Sequence, residues 1–158
     1  MATEHLATLW HWSPTLGMGL LQNIQMSVGA IGLGTLLGLL VGTLLLSPLA
    51  PLRALARLWV QVFRNAPWLV LIYFTSYVFP FDVQVAGTWV AFPDWLKVTV
   101  GLALPASANV AEILRGAVAS IPATQWEAAR SIAFSRGQIL RLIILPQCLR
   151  RMLAPWMN

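Results

Sequence analysis

The sequence predicts an all-α, polytopic membrane protein with about three spanning helices and its N-terminus outside. Three observations predict it. Of 158 residues, 58% are hydrophobic and only 9% charged, with a mean hydropathy of +0.74, whereas soluble domains run near a quarter charged. No charged residue stands between Leu16 and Leu46, and about 20 apolar residues suffice to cross a hydrocarbon core. Of the ten basic residues, only Lys97 falls outside the stretches 53–64 and 115–151. Basic loops stay on the cytoplasmic side, so both stretches are expected there.

The elements follow in order. The first span occupies Leu16–Leu46, and the absence of a basic n-region before this long run argues for a retained helix over a cleaved signal. Gly34, Gly38 and Gly42 are four apart, a stripe that lets a second helix approach closely. Spacing alone leaves open packing within the subunit and a seam between subunits. Ser47, Pro48 and Pro51 end this helix. Leu52–Pro67 carries Arg53, Arg57 and Arg64 among apolar residues, the pattern of a helix lying at the membrane surface. Asn65 is placed to cap the next helix and Pro67 to open it. A second span is expected over 67–81, short enough to borrow residues from the preceding helix or to tilt little. Pro80, Gly87 and Pro93 mark an irregular connection containing Asp82 and Asp94. The third span, about Trp95–Leu114, holds Pro105, Asn109 and Glu112. Glu112 with Arg115 fits a helix-end pair at the interface; with Asn109, the same groups also fit a polar transport path.

Several function classes find no support. The arginines lie between apolar runs and are not interleaved with stacking aromatics, so a nucleic-acid groove is not indicated. The lone Cys148 makes no intramolecular disulfide or cysteine-built metal site, and His5 and His11 lack ligand partners at useful spacing. No catalytic grouping or phosphate-cradling loop is present, so no cofactor is expected.

The remaining segment, "ATQWEAARSIAFSRGQILRLIILP", is charged and amphipathic. Thr124 with Glu127, and Ser135 with Gln138, fit two capping boxes. They predict helices over about 125–133 and 136–144 with a tight turn near Phe134–Ser135. The first would show Ala128, Ala129, Ile132 and Ala133 beside Arg130. Docking on a protein partner and a self-contained hairpin on the membrane remain equally open on physical grounds.

The stretch "EAARSIAFSRGQILRLIILP" resembles the cytoplasmic EAA loop of binding-protein-dependent ABC transporter permeases: E-A-A, three residues, G, nine residues, I-x-L-P. Glu127, Ala128 and Ala129 match its start, and Ile143, Leu145 and Pro146 its end. Ala133 replaces the usual glycine, which tolerates a left-handed turn that alanine resists. Glu112, Arg115, Gly116 and Gln125 are similar to the lead-in of the polar amino acid (histidine/glutamate-type) branch, with Thr124 at a usual glycine. "VFRNAPWLV" resembles that branch's F-R-G-T-P segment, with Asn65 and Ala66 substituted, a form similar to glutamate and aspartate permeases.

The resemblance implies a MetI-like permease fold in the bacterial inner membrane. It implies a coupling loop over 124–146 that a cytoplasmic ABC ATPase subunit grips, the ATP chemistry residing in that partner. It also implies a second permease subunit, identical or not, and a periplasmic substrate-binding protein. Gln125, Glu127, Ala128, Ala129, Arg130, Ala133, Ile143, Leu145 and Pro146 would carry the coupling, Arg136 adding rim charge. Asn109, Glu112 and Arg115 would be path or helix-end polar groups. Members of the family continue for two more helices past the L-P element, so residues 1–158 are expected to be a permease domain incomplete at the C-terminal side, with three spans of five. A permease for another small solute and a non-transporting membrane anchor are the alternatives.

Overall fold

The computed structural model describes residues 2–85 and 87–157, with residues 2–4, 6 and 7 described by backbone only. Helix α1, Ala2–Leu45, runs 44 residues and carries Pro14 inside it. α2 is Ala50–Asn65, α3 Trp68–Val78, α4 Asp94–Ala119, α5 Ala123–Ser131, α6 Arg136–Gln138 and α7 Leu145–Met157. Between α6 and α7 the backbone is π-helical from Ile139 to Ile144.

Three expectations change. The irregular connection after α3 is a two-stranded antiparallel hairpin, β1 Asp82–Val85 and β2 Thr88–Ala91, paired from Asp82↔Ala91 to Val85↔Thr88. Gly87 takes a positive φ of 87° at its turn, which explains a glycine between two valine-rich stretches. The second span does not borrow from α2 either. Ala66 and Pro67 are extended, because proline pushes the preceding residue out of the helical region. Helix α3 keeps 11 residues, a rise of roughly 16 Å. Asn65 does not cap it; its Nδ2 donates to the Gln61 carbonyl at 2.8 Å.

Among the described residues, α1 over Thr8–Leu45 is the one helix long and apolar enough to cross a membrane by length and hydropathy. α4 has the length, 26 residues, but Asp94, Lys97, Glu112 and Arg115 dilute its apolar character.

The chain divides into two compact units, Met1–Leu33 with Pro67–Ala103, and Gly34–Ala66 with Leu104–Asn158. In the first, α3 presses on α4 so closely that a Cβ on Gly101 would stand 2.6 Å from Thr75 Oγ1 and 2.9 Å from Ile72 Cα. In the second, Gly34, Gly38 and Gly42 are all buried. A Cβ on Gly38 would lie 2.5 Å from Val110 Cβ, and one on Gly42 2.8 Å from Leu114 Cδ2. The glycine stripe therefore seats α4 against α1 within this chain. Val41, Leu45, Ala56, Val60 and Ala111 extend that core to α2, where Trp59 Nε1 donates to Ser107 Oγ at 3.0 Å.

Candidate functional site: the α5–α7 segment and the Arg64–Glu112–Arg115 cluster

Helix α5 begins at Ala123 with Pro122 as its flanking residue and no side-chain cap. The expected Thr124–Glu127 box is not made, because Pro122 already sets the extended entry and leaves Thr124 inside the first turn. The second box is made. Ser135 Oγ accepts from Gln138 N at 3.4 Å, and Gln138 Oε1 accepts from Ser135 N at 2.8 Å.

The turn between them is closed by two backbone bonds. Phe134 N donates to Ala129 O at 3.2 Å and Ala133 N to Arg130 O at 2.9 Å, while Ala133 holds φ at +60°. This is the Schellman arrangement, in which the residue after the helix end goes left-handed and glycine is favoured. The position where the resembled loop usually has glycine is the left-handed one, Ala133, and alanine adopts the conformation at a steric cost.

Downstream, Leu145 N donates to Leu140 O, five residues back. Pro146 has no N–H to offer Leu142 and its ring crowds that carbonyl. A wider turn just ahead lets the helix pass the proline without breaking. The wide turn also explains the burial pattern. Ile139, Ile144, Cys148 and Met152 all lie inside. Their first interval is five residues and the next two are four, so the π turn keeps Ile139 on the face of the other three.

These residues share one core with Val110, Leu114, Ala117 and Ile121, and Ala129 of α5 belongs to it. Ala129 is only 3% exposed, its methyl packing inside its own chain. Gln125 is half-buried and its Oε1 accepts from Gln147 Nε2 at 2.7 Å, tying α5 to α7. Arg151 Nη1 donates to Ser120 O and Oγ, each at 2.9 Å. Burial pushes the Cys148 thiol up, the Arg151 guanidinium opposing it.

Glu127, Ala128, Arg130, Ala133 and Pro146 remain exposed, while Ile143 and Leu145 are half-buried. Ile132 stands beside the first group with 62% of its surface open. The exposed face of α5 and its turn is thus acidic at Glu127, basic at Arg130 and apolar at Ile132. Gln147, Cys148, Arg151 and Ser120 were not anticipated. The spacing of Ile144, Cys148 and Met152 carried a signal for the core; the two long-range clamps left none.

Upstream, Glu112 accepts from Arg115 Nη2 at 2.7 Å and from its Nε at 3.1 Å. Arg64 Nη1 of α2 approaches the same carboxylate at 3.9 Å. The pair forms as expected but one turn before the helix end, since α4 continues to Ala119. Asn109 is half-buried on the turn before. The cluster joins the two segments that carried the lead-in resemblance, F-R-N-A-P and E-x-x-R-G.

Comparison with known proteins agrees. The family model for the binding-protein-dependent transport system inner membrane component matches residues 34–157. The octopine transport system permease protein OccM of Rhizobium radiobacter is 36% identical over 157 residues, covering 96% of this chain and 63% of the relative. The probable glutamine ABC transporter permease protein GlnP of Bacillus subtilis is 35% identical over 153 residues, covering 96% and 64%. The chain thus spans about three fifths of the length of these curated relatives. Among solved structures, the crystal structure of an amino acid ABC transporter with histidines superposes with a TM-score of 0.79 at 25% identity, over 95% of this chain and 67% of that one. The chain has the MetI-like permease fold and belongs to the family of binding-protein-dependent transport system inner membrane components.

Proposed function

We propose that this chain is the membrane-spanning part of an ABC importer for polar amino acids, coupled to a separate ATPase through residues 124–146. The observation that carries the coupling is the exposed face of α5, with Glu127, Ala128, Arg130 and Ile132 outward while Ala129 is locked in the core. A helix held by its small residue and by the Gln125–Gln147 bond moves as one piece with α7. A push on its outer face is therefore carried into the helix behind it. Ala133 and Pro146 shape that face: one sets the turn, the other the wide turn beneath it.

The relatives named above are permeases for octopine and, for the second, glutamine, which supports amino acids as the solute class. The F-R-N-A-P segment narrows this to glutamate or aspartate. A second permease subunit and a periplasmic binding protein complete the assembly, with the N-terminus outside and residues 116–158 in the cytosol. Glu112 and Arg115 form a helix-stabilising cluster with Arg64 in this reading, with Asn109 one turn before it on α4.

The test uses the assembled transporter. Glu127→Arg with Ile132→Ser should lower co-purified ATPase at least about tenfold, as expected when central contacts of a protein interface are removed, and should abolish uptake. Normal ATPase retention and uptake in that variant would exclude the coupling role. Labelling of an Arg130→Cys variant by an impermeant maleimide from the periplasmic side would invert the topology.

A further inference from the structure

We propose that the β1–β2 hairpin is a lipid-facing paddle that lies in the headgroup–acyl boundary and does not stand in water. Its two faces differ. Val83, Val85 and Val90 share one face with Thr88; Asp82, Gln84, Trp89 and Ala91 share the other. Val85, Trp89 and Val90 are exposed, Trp89 by 71%, and neither strand holds a buried residue. A lone two-stranded hairpin without a buried residue is at best marginal in water; Val83 is half-buried, and the open sides of Val85 and Val90 call for a cover.

Charge and continuity point to lipid. Asp82 is the sole charged residue between Trp68 and Pro93, and a protein-docking surface of this size would carry a polar, charged rim. The hairpin leaves α3 just beyond Tyr77 and Val78, both exposed like Tyr73 and Phe74. A short apolar helix with uncovered aromatics, in a membrane-component family, has lipid as its surroundings, and the hairpin prolongs that surface. Trp89 beside Gln84 and Asp82 has the amphipathic character of interfacial tryptophans.

The base is held rigidly. Phe92 N donates to Phe81 O at 2.7 Å, and the Phe79 and Phe92 rings stack at 5.6 Å. Lys97, 1% exposed, sets its ammonium 3.0 Å from Asp94 Oδ1 and 4.2 Å from the Phe81 ring centroid. A lysine near a membrane edge ordinarily extends to the phosphates; this one turns inward and fixes the strand entry to α4. The lipid contact stands by itself, whereas the outer leaflet as its location rests on the topology proposed above.

The experiment places the fluorophore NBD at Val90→Cys, and separately at Thr88→Cys on the same face in case the first variant does not fold. The full chain is reconstituted in phosphatidylglycerol/phosphatidylcholine nanodiscs. Gln138→Cys, exposed in the α6 turn, is the aqueous control. Several-fold stronger quenching by shallow nitroxide lipids than at position 138, with weaker quenching by iodide, is the expected result. Iodide quenching equal to the control with no lipid quenching overturns the proposal, and so does protection that appears only on adding a binding protein. In oriented vesicles, lipid quenching confined to the cytoplasmic leaflet would sink the topology and leave the lipid contact intact.

Discussion

Residues 68–93 and residues 123–157 both begin with a short helix of about three turns or fewer, continue through a tight turn and return, yet they end in opposite states. The second segment puts Ala129, Ile139, Ile144, Cys148 and Met152 into a core shared with α4. Six charged residues remain outside, Glu127, Arg130, Arg136, Arg141, Arg150 and Arg151, beside exposed apolar ones such as Ile132, Leu142, Leu149 and Leu153. The first buries only Leu71 and Thr75 in its helix and leaves Tyr73, Phe74, Tyr77, Trp89, Val85 and Val90 open. Hydrophobic burial is satisfied by protein in one case and must be satisfied by another apolar medium in the other. The difference is one of charge and burial, although both are rich in hydrophobic residues: residues 68–93 carry only Asp82 before Asp94, whereas residues 123–157 carry six exposed charges over a buried core.

Substitutions can break or sharpen that contrast. The largest effect is expected at Ile144, fully buried against α4-side residues of its cluster. Ile144→Ala should cost about 2–5 kcal/mol, read as a large fall in thermal midpoint in detergent. The equivalent truncation in the other segment, Val90→Ala, removes methyls from a side chain that is half open. It should shift stability by no more than about 0.5 kcal/mol, and a larger shift would mean that the hairpin packs on protein.

Smaller effects sharpen the account of the α5–α6 turn. Ala133→Gly should stabilise by about 1 kcal/mol, since left-handed backbone costs an L-residue roughly that much. A destabilising result would show that the turn is not left-handed. Ser135→Ala should lose about 1 kcal/mol with its capping bond. Thr124→Ala, at a box of the same pattern that is not formed, should shift the midpoint little or not at all. Equal losses in the two variants would restore the first box.

Much of the architecture was legible along the chain. The apolar run from Leu16, the glycine stripe and the Glu112–Arg115 spacing each describe neighbours on one helix, and such geometry is set by periodicity. The Ser135–Gln138 box was legible for the same reason. The Thr124–Glu127 box has the same pattern and failed, because Pro122 had already taken the entry position. Local pattern states what a segment could do; the preceding residue's backbone decides which option is used. The hairpin was missed because proline and glycine punctuation marks a connection without stating that its two sides pair.

By itself, the sequence determined that this chain lives in a membrane, where its charge concentrates, and which residues stand a turn apart. The loop it resembles usually has glycine at position 133, and Ala133 is where the backbone turns left-handed. Only the tertiary structure decided that Ala129 faces inward, that Gln125 belongs to Gln147, that Arg64 reaches Glu112 and that Lys97 turns away from the surface. Each of these depends on groups distant in the chain or on which face of a helix finds a neighbour, and burial is a property of that neighbour as much as of the residue. The five-residue step from Ile139 to Ile144 reads as noise under an α-helical period. It becomes regular once Pro146 has widened the turn ahead of it.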